Sequence, residues 1–506
     1  MFQLDLSTAK QQNNYFTADV RGTEMNDIPF VGREVELFNL KQLLHKKSAS
    51  LIVIKGRRRI GKSRLIEEFS KKKQFLRFEG LAPTRSTTAQ MQREEFARQL
   101  DLQLGLPGLE SVKDWGTLFT ILAQNTQKEP IVILFDEITW MGSKDSTFLS
   151  KLKIVWDQYF QKNPQLILIL CGSLSFWIEK NIVNSTGFVG RISLKIHLQE
   201  LDLQECNTLL TKLGFRGSVQ EKLGALAITG GVPWYIEQIN PRLSVQENLR
   251  KLCFQPDGLF VEEFQHVFHD LFGKRLPICK KIVTSLKNEA KEYNEISQEI
   301  NYQSGGPLSE YLEDLIVSGF ITKQHSWSLS SGSERKTCKY RIQDNYLRYY
   351  LKYIFPHLAK IKKGLFSSIS PFDLPGWEGV MGLQFENIVL YNRKEIWKSL
   401  GLRPQDIIFE NPYFQSTTSK QAGCQIDYMI QTRFKNLYLC EMKFSHHPIS
   451  ETVISEVTQK IKALNPPKGF AVLPILIHIN GVSKSVQDKE FFANIIDFGE
   501  FLNKTV

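Results

Sequence analysis

Nowhere in these 506 residues is there an apolar run approaching the roughly 20 residues that a membrane-spanning helix needs. The N-terminus carries Asp5 and the polar run Gln11-Gln-Asn-Asn14 where a signal peptide would place its apolar segment. No membrane partner is therefore expected, and a cytoplasmic location is. Cysteine is sparse: seven are scattered along the chain, an odd number without a CxxC pair. That argues against a disulfide framework and against a structural zinc site, and implies a reducing compartment. Acidic residues are in the minority, 53 against 64 Lys and Arg, which leaves a net charge of +11 and suggests a polyanionic partner. What is present, 42% apolar and 23% charged residues, is the make-up of a globular protein with room for about three domains. Residues 1–27 read as a poorly ordered arm.

The strongest motif is Gly56-Arg57-Arg58-Arg59-Ile60-Gly61-Lys62-Ser63, which fits GxxxxGK[ST]. It follows the apolar run Leu51-Ile-Val-Ile54 and precedes a helix-like stretch that begins at Arg64. This strand–loop–helix order is what phosphate binding requires. Glycines let successive N–H groups converge on phosphate oxygens, the lysine neutralises the β and γ phosphates, and the serine hydroxyl ligates Mg²⁺. Some seventy residues on, Pro130-Ile-Val-Ile-Leu-Phe135 ends in Asp136-Glu137. A buried parallel strand there would deliver both carboxylates to the ligand-binding edge of the sheet, Asp136 to hold Mg²⁺ and Glu137 to take a proton from water. A third apolar strand, Leu166 to Cys171, ends in Gly172-Ser173, and Ser173 is placed to sense the γ-phosphate.

With Phe30-Val31-Gly32-Arg33-Glu34 ahead of the loop, and Gly190-Arg191 and Gly230-Gly231-Val232-Pro233-Trp234-Tyr235 after it, residues 28 to 270 resemble the archaeal-type ATPase family, an AAA+ and STAND-like branch of P-loop proteins. The resemblance implies an α/β core with a parallel P-loop sheet over 28–200 and a helical lid over 201–270. It also implies ATP and Mg²⁺ as cofactors, Phe30 to Glu34 near the adenine, and Arg191 as a candidate arginine finger or sensor. An Arg191 acting in trans would need neighbours, so assembly of several copies on activation is compatible with it.

Charge is densest in the middle, where residues 271–375 hold 16 Lys and Arg against 10 Asp and Glu. That segment reads as a winged helix over 271–355: helices at 277–291, 296–302 and 307–317, then strands at 320–323 and 339–342 around the turn Ser330-Ser-Gly-Ser333. The third helix would bury Leu308, Leu312 and Leu315 and present Ser309, Glu310, Glu313 and Asp314. Those carboxylates would repel phosphate, which leaves the wing, with Arg335, Lys336, Lys339 and Arg341, as the surface for DNA, unless the domain is a spacer packed on the ATPase. Residues 356–375 read as a linker.

In the last segment, 376–506, the runs Gln425 to Ile430 and Leu437 to Lys443 read as a hairpin that sets Asp427 opposite Glu441, with Lys443 on the face of Glu441. Two carboxylates and a lysine can hold a divalent ion and stabilise charge on a scissile phosphate. The pattern, with Ile426 where Pro is usual, resembles the PD-(D/E)xK nuclease superfamily. So does the element order: a helix at 378–398, strands at 407–410, 426–431 and 437–444, a helix at 451–464 and a strand at 469–479. A restriction-endonuclease-like α/β domain is implied, with Glu386 of Gly382-Leu-Gln-Phe385-Glu386 as a further acidic residue beside the metal. Gln459 and Lys460 follow on the next helix, as phosphate contacts or solvated residues.

Three functions are consistent with these features: an ATPase acting on DNA whose nucleotide state gates a metal-dependent nuclease-like domain, a STAND-like switch whose last domain only binds DNA or protein, and a winged-helix transcription regulator. The acidic third helix weighs against the last, and the intact Glu441-x-Lys443 favours the first.

Overall fold

The computed structural model describes residues 28–503, except 85, 174, 175, 303, 304, 418, 420, 421 and 465. The arm read over 1–27 lies outside the described residues. The apolar runs become β1 (Ser50–Gly56), β2 (Gln74–Glu79), β3 (Ile131–Asp136), β4 (Leu166–Ser173) and β5 (Ile192–Leu198), all parallel and ordered β2-β3-β4-β1-β5. Almost every residue of β1, β3 and β4 is buried, which a sheet permits only when both faces are covered. One face carries an aromatic cluster in which Phe78 lies 4.5 Å from Phe96 and 5.9 Å from Phe135. The other packs Ile52 and Ile54 against Leu65 and Ile66 of the helix Lys62–Ser70. Because the strands run in one direction, Gly56, Asp136 and Ser173 emerge at one edge.

Five helices follow: Leu203–Lys212, Val219–Thr229, Pro233–Glu237, Val245–Phe254 and Leu259–Phe272. Capping boxes fix the starts of the first two, Asp202 with Glu205 and Ser218 with Glu221. The winged helix has helices Leu276–Ser285, Tyr293–Glu299 and Gly306–Val317, with β6 (Lys291–Glu292), β7 (Ile321–Trp327) and β8 (Glu334–Ile342) in the order β6-β8-β7. Its third helix buries Leu308, Leu312 and Leu315, and Asp314 on its polar face accepts from Arg275 at 2.5 Å.

The last region has β9 (Ile407–Gln415), β10 (Cys424–Thr432), β11 (Asn436–Lys443), β12 (Ala471–His478) and β13 (Asn494–Asp497), ordered β13-β12-β11-β10-β9. The first three are antiparallel; the helix Thr452–Leu464 crosses over from β11 to β12 and the short helix Lys484–Asp488 from β12 to β13, so these three run parallel. The single helix expected at 378–398 is instead two, Trp377–Tyr391 and Arg393–Ser399. Asn392 breaks it: its side chain accepts from Leu203 N at 2.8 Å and donates to Ile388 O at 2.8 Å.

Two further expectations are corrected. Residues 356–375 are not a free linker, because Ile361 is fully buried, Arg250 donates to Ser367 O at 2.9 Å and Gln246 donates to Ser370 Oγ at 3.0 Å. The wing is only partly a free surface: Arg335 and Lys336 are exposed, but its base is packed on the last sheet. Trp327 of β7 is buried against Phe409 and Tyr413 of β9, and its Nε1 donates to Gln431 at 2.7 Å. Arg341 is buried, donating to Asn387 at 2.6 Å and pairing with Glu386 at 3.2 Å. One continuous core runs from the lid through the winged helix to one face of the β9–β13 sheet, as burial of apolar surface favours wherever such faces adjoin.

Candidate nucleotide site and a second carboxylate cluster

The loop after β1 begins with a close approach. A side chain at Gly56 would meet Leu198 O at 2.8 Å, and Gly61 has φ +91°, a conformation that glycine adopts without strain. Lys62 turns back to donate to the carbonyls of Gly56 and Arg57, both at 3.1 Å. Ser63 Oγ donates to Asp136 Oδ2 at 3.1 Å, so the two Walker motifs meet. Arg77 of β2 donates to the same oxygen at 2.9 Å. Its sequence neighbourhood carries no motif; only the pairing of β2 with β3 brings it there.

Glu137 stands beside them in a left-handed backbone conformation (φ 49°), which is costly for a non-glycine residue and clusters at functional sites. Its Oε1 accepts from Ser173 Oγ at 3.4 Å, while Oε2 is buried without a hydrogen-bond partner. Burial raises its pKa, against the pull of Lys62. Ile28, Phe30, Val31 and Arg33 join Arg58 to Arg64, Leu209, Pro233, Trp234 and Glu237 around a cleft of 330 Å³ that opens at this point. Gly32 has no room for a side chain, since a Cβ would stand 2.0 Å from Glu205 Oε1, and Arg33 donates to Ile60 O at 3.3 Å.

The three loop arginines tie the loop to its surroundings, Arg58 and Arg59 both to the helix Leu259–Phe272. Arg57 points away from the cleft: it is buried, donates to Glu200 at 2.9 Å and is ion-paired with Asp344 beyond the winged helix. Arg58 pairs with Asp270, and Arg59 donates to Glu263 at 3.0 Å while lying 3.8 Å from the Trp234 ring centroid.

Arg191 is placed differently from the expectation for a residue acting on its own chain's nucleotide. It precedes β5, whose first residue pairs with Leu51, so it lies at the opposite edge of the sheet from Gly56, a strand length of roughly 20 Å away. There it makes two hydrogen bonds to Asp157, at 2.7 and 2.9 Å. Arg191→Ala should leave ATP turnover of dilute protein unchanged within about twofold, and a large loss at that dilution would contradict this placement.

In the C-terminal sheet, Tyr428 pairs with Cys440, so Asp427 and Glu441 face each other one step further on. Asp427 Oδ2 accepts from Met442 N at 2.9 Å. Burial, with Glu441 next, raises the Asp427 carboxyl to about 7. Glu441 is almost fully buried between two lysines, Lys460 at 2.6 Å and Lys443 at 3.1 Å. Lys460 also stands 3.6 Å from Asp427, so one ammonium is shared by both carboxylates. Lys443 donates to Glu456 at 2.6 Å, and Glu456 and Glu441 outweigh burial to hold its pKa above the usual lysine range. Glu386 is drawn off by Arg341. Among the described residues no group of three or more His, Cys, Asp or Glu side chains is placed to hold a metal ion, so the expected trio of Glu386, Asp427 and Glu441 is reduced to a pair. Lys460 is the addition that sequence weighed as a solvated residue.

Residues 30–239 match the family described as "ATPase domain predominantly from Archaea". The uncharacterized protein MJECL04 of Methanocaldococcus jannaschii is 25% identical over 338 residues, which is 67% of this chain and 71% of that protein. Among solved structures, the Walker-type ATPase PABY2304 of Pyrococcus abyssi has a TM-score of 0.46 at 18% identity, covering 64% of this chain and 96% of its own. The Aeropyrum pernix ORC2 protein has a TM-score of 0.40 at 15% identity, covering 68% and 98%. Among the described residues no helix is long and apolar enough to cross a membrane. Residues 30–239, in which the phosphate loop and Asp136-Glu137 meet at one sheet edge, are thus similar to this archaeal ATPase domain, and the protein is an ATP-binding, ATP-hydrolysing one.

Proposed function

We propose that ATP binding and hydrolysis at the Gly56–Ser63 loop control a metal-dependent phosphodiesterase site at Asp427, Glu441 and Lys443, acting on DNA. At the first site Ser63 and Asp136 are oxygen donors 3.1 Å apart, a donor set that suits Mg²⁺. Lys62 would leave the loop carbonyls for the β and γ phosphates, and the unpartnered Oε2 of Glu137 would take the proton of the attacking water as the bond from the γ-phosphorus to ADP breaks.

At the second site the sharing of one ammonium by Asp427 and Glu441 supports the reading, because the same pair of oxygens suits a divalent cation, and Mg²⁺ needs only one or two carboxylates when substrate phosphate completes its shell. A bound ion would supply Lewis-acid stabilisation of the phosphate. Lys443, kept protonated by Glu456 and Glu441, would stabilise charge on the phosphate rather than remove a proton from water. Lys460 would move aside toward the strand being cleaved.

The observation that carries the coupling is the segment Arg341–Arg348. At one end Asp344 is ion-paired with Arg57 of the phosphate loop and caps Leu347 N at 2.6 Å. At the other, Arg341 binds Glu386 and Asn387, and Asn387 also donates to the carbonyls of Ile342 and Gln343 and to Asn345 Oδ1. A shift of Arg57 on nucleotide binding would be passed along these contacts to Glu386, which lines one cavity together with Asp427.

The test is incubation with plasmid, linear, single-stranded and branched DNA in Mg²⁺ or Mn²⁺, with and without ATP. Asp427→Ala and Lys443→Ala should each lose cleavage by at least about 10²-fold, and Lys62→Ala should lose its ATP dependence. Cleavage that persists in both variants, or on no substrate at all, removes the assignment and leaves the STAND-like switch as the alternative.

A further inference from the structure

Between the wing and the C-terminal sheet lies a cavity of 240 Å³ that reaches Glu386 and Asp427 and that ATP hydrolysis does not use. Its winged-helix wall is Gln324, Lys339, Arg341 and Arg348; its other wall includes Tyr413 and Phe414. It opens at Asn288 and Glu289, which are exposed, and at the exposed Gln425.

One polar group in the wall lacks a partner despite deep burial, and a second wall residue, Gln324, is 6% exposed. Arg348 is 1% exposed; it donates to the carbonyls of Ile342 and Lys287, but its Nε has no partner and no carboxylate is ion-paired with it. Burial and the neighbouring Arg341 oppose its charge. A buried guanidinium with an unpartnered N–H, helped only at a distance by the charge of Glu386, is costly unless a ligand completes it. Arginine and lysine with a glutamine suit a phosphate and a base edge, and Phe414, beside Lys339, suits an apolar ring face.

We infer that this cavity seats one nucleotide of a single nucleic-acid strand, its phosphate toward Lys339, Arg341 and Arg348 and its base toward Phe414. The wing's burial of Trp327 against β9 closes one side, so a duplex cannot enter without parting the two domains, whereas one nucleotide fits the volume. This specifies the substrate class of the proposed phosphodiesterase site and rests on that reading only for cleavage; strand binding stands apart from it.

The full chain would be titrated in EDTA with a fluorescent oligothymidylate and with a hairpin duplex of equal length. The strand should bind at least about tenfold more tightly. Lys339→Gln and Gln324→Leu should each weaken strand binding by about tenfold, while Lys336→Gln, the same loss of charge on the exposed wing outside the cavity, should change it by less than about twofold. Glu386→Gln, which removes a negative charge from the wall, should strengthen it. Equal affinity for the duplex, or equal losses from Lys339→Gln and Lys336→Gln, overturns the inference. Strand binding without cleavage in Mg²⁺ would instead overturn the phosphodiesterase reading alone.

Discussion

Glu137→Gln is expected to lower ATP turnover by about 10²–10⁴-fold, the range that a positioned general base contributes, while ATP still binds. The amide keeps the shape of the side chain and its contact with Ser173, but it has no lone pair basic enough to take the proton of water. Phosphate-release kinetics would measure the loss, and fluorescent-nucleotide titration would show the retained affinity. Lys62→Ala provides the contrast: it removes the ammonium itself, so affinity should fall along with turnover. Unchanged turnover in Glu137→Gln would transfer the role of base elsewhere.

Arg57→Met is expected to cost about 3–5 kcal/mol of stability, because it leaves Asp344, which is 1% exposed, and Glu200 as buried charges with no cation between them. The methionine retains much of the packing against Phe320, so the loss reports charge rather than volume. Urea unfolding followed by tryptophan fluorescence would show it. Combining the change with Asp344→Asn, which removes the one fully buried charge, and with Glu200→Gln at the part-buried partner should recover most of the loss. The same triple variant should make DNA cleavage independent of ATP, which a merely structural arginine would not.

The phosphate loop and Asp136-Glu137 were legible in sequence because their chemistry is local: backbone N–H groups converge only over a short glycine-flanked turn, and a buried strand reads as an unbroken apolar run. The hairpin register was legible for the same reason, as a short turn fixes which residues face each other. Arg77, Lys460 and the partners of Arg57 were not. Each is an ordinary basic residue until a neighbouring strand, a crossover helix or a distant loop brings a carboxylate to it, over separations of 59, 19 and 287 residues. Arg191 followed the family pattern in sequence, yet the parallel direction of β5 puts it at the far edge of the sheet.

The wing shows the limit most plainly. Its basic residues, read along the chain, form a surface for phosphate, but Trp327 and Leu329 in the same hairpin are buried against the β9–β10 sheet and take Arg341 inside with them. Sequence by itself determined the ATPase core, its phosphate loop and the strand that carries Asp136-Glu137, since those follow from periodicity and short-range spacing. Tertiary structure alone decided which charges are paired, among them Arg57 with Asp344 and Arg341 with Glu386. Burial of apolar faces chooses among distant neighbours, and no local pattern records the choice.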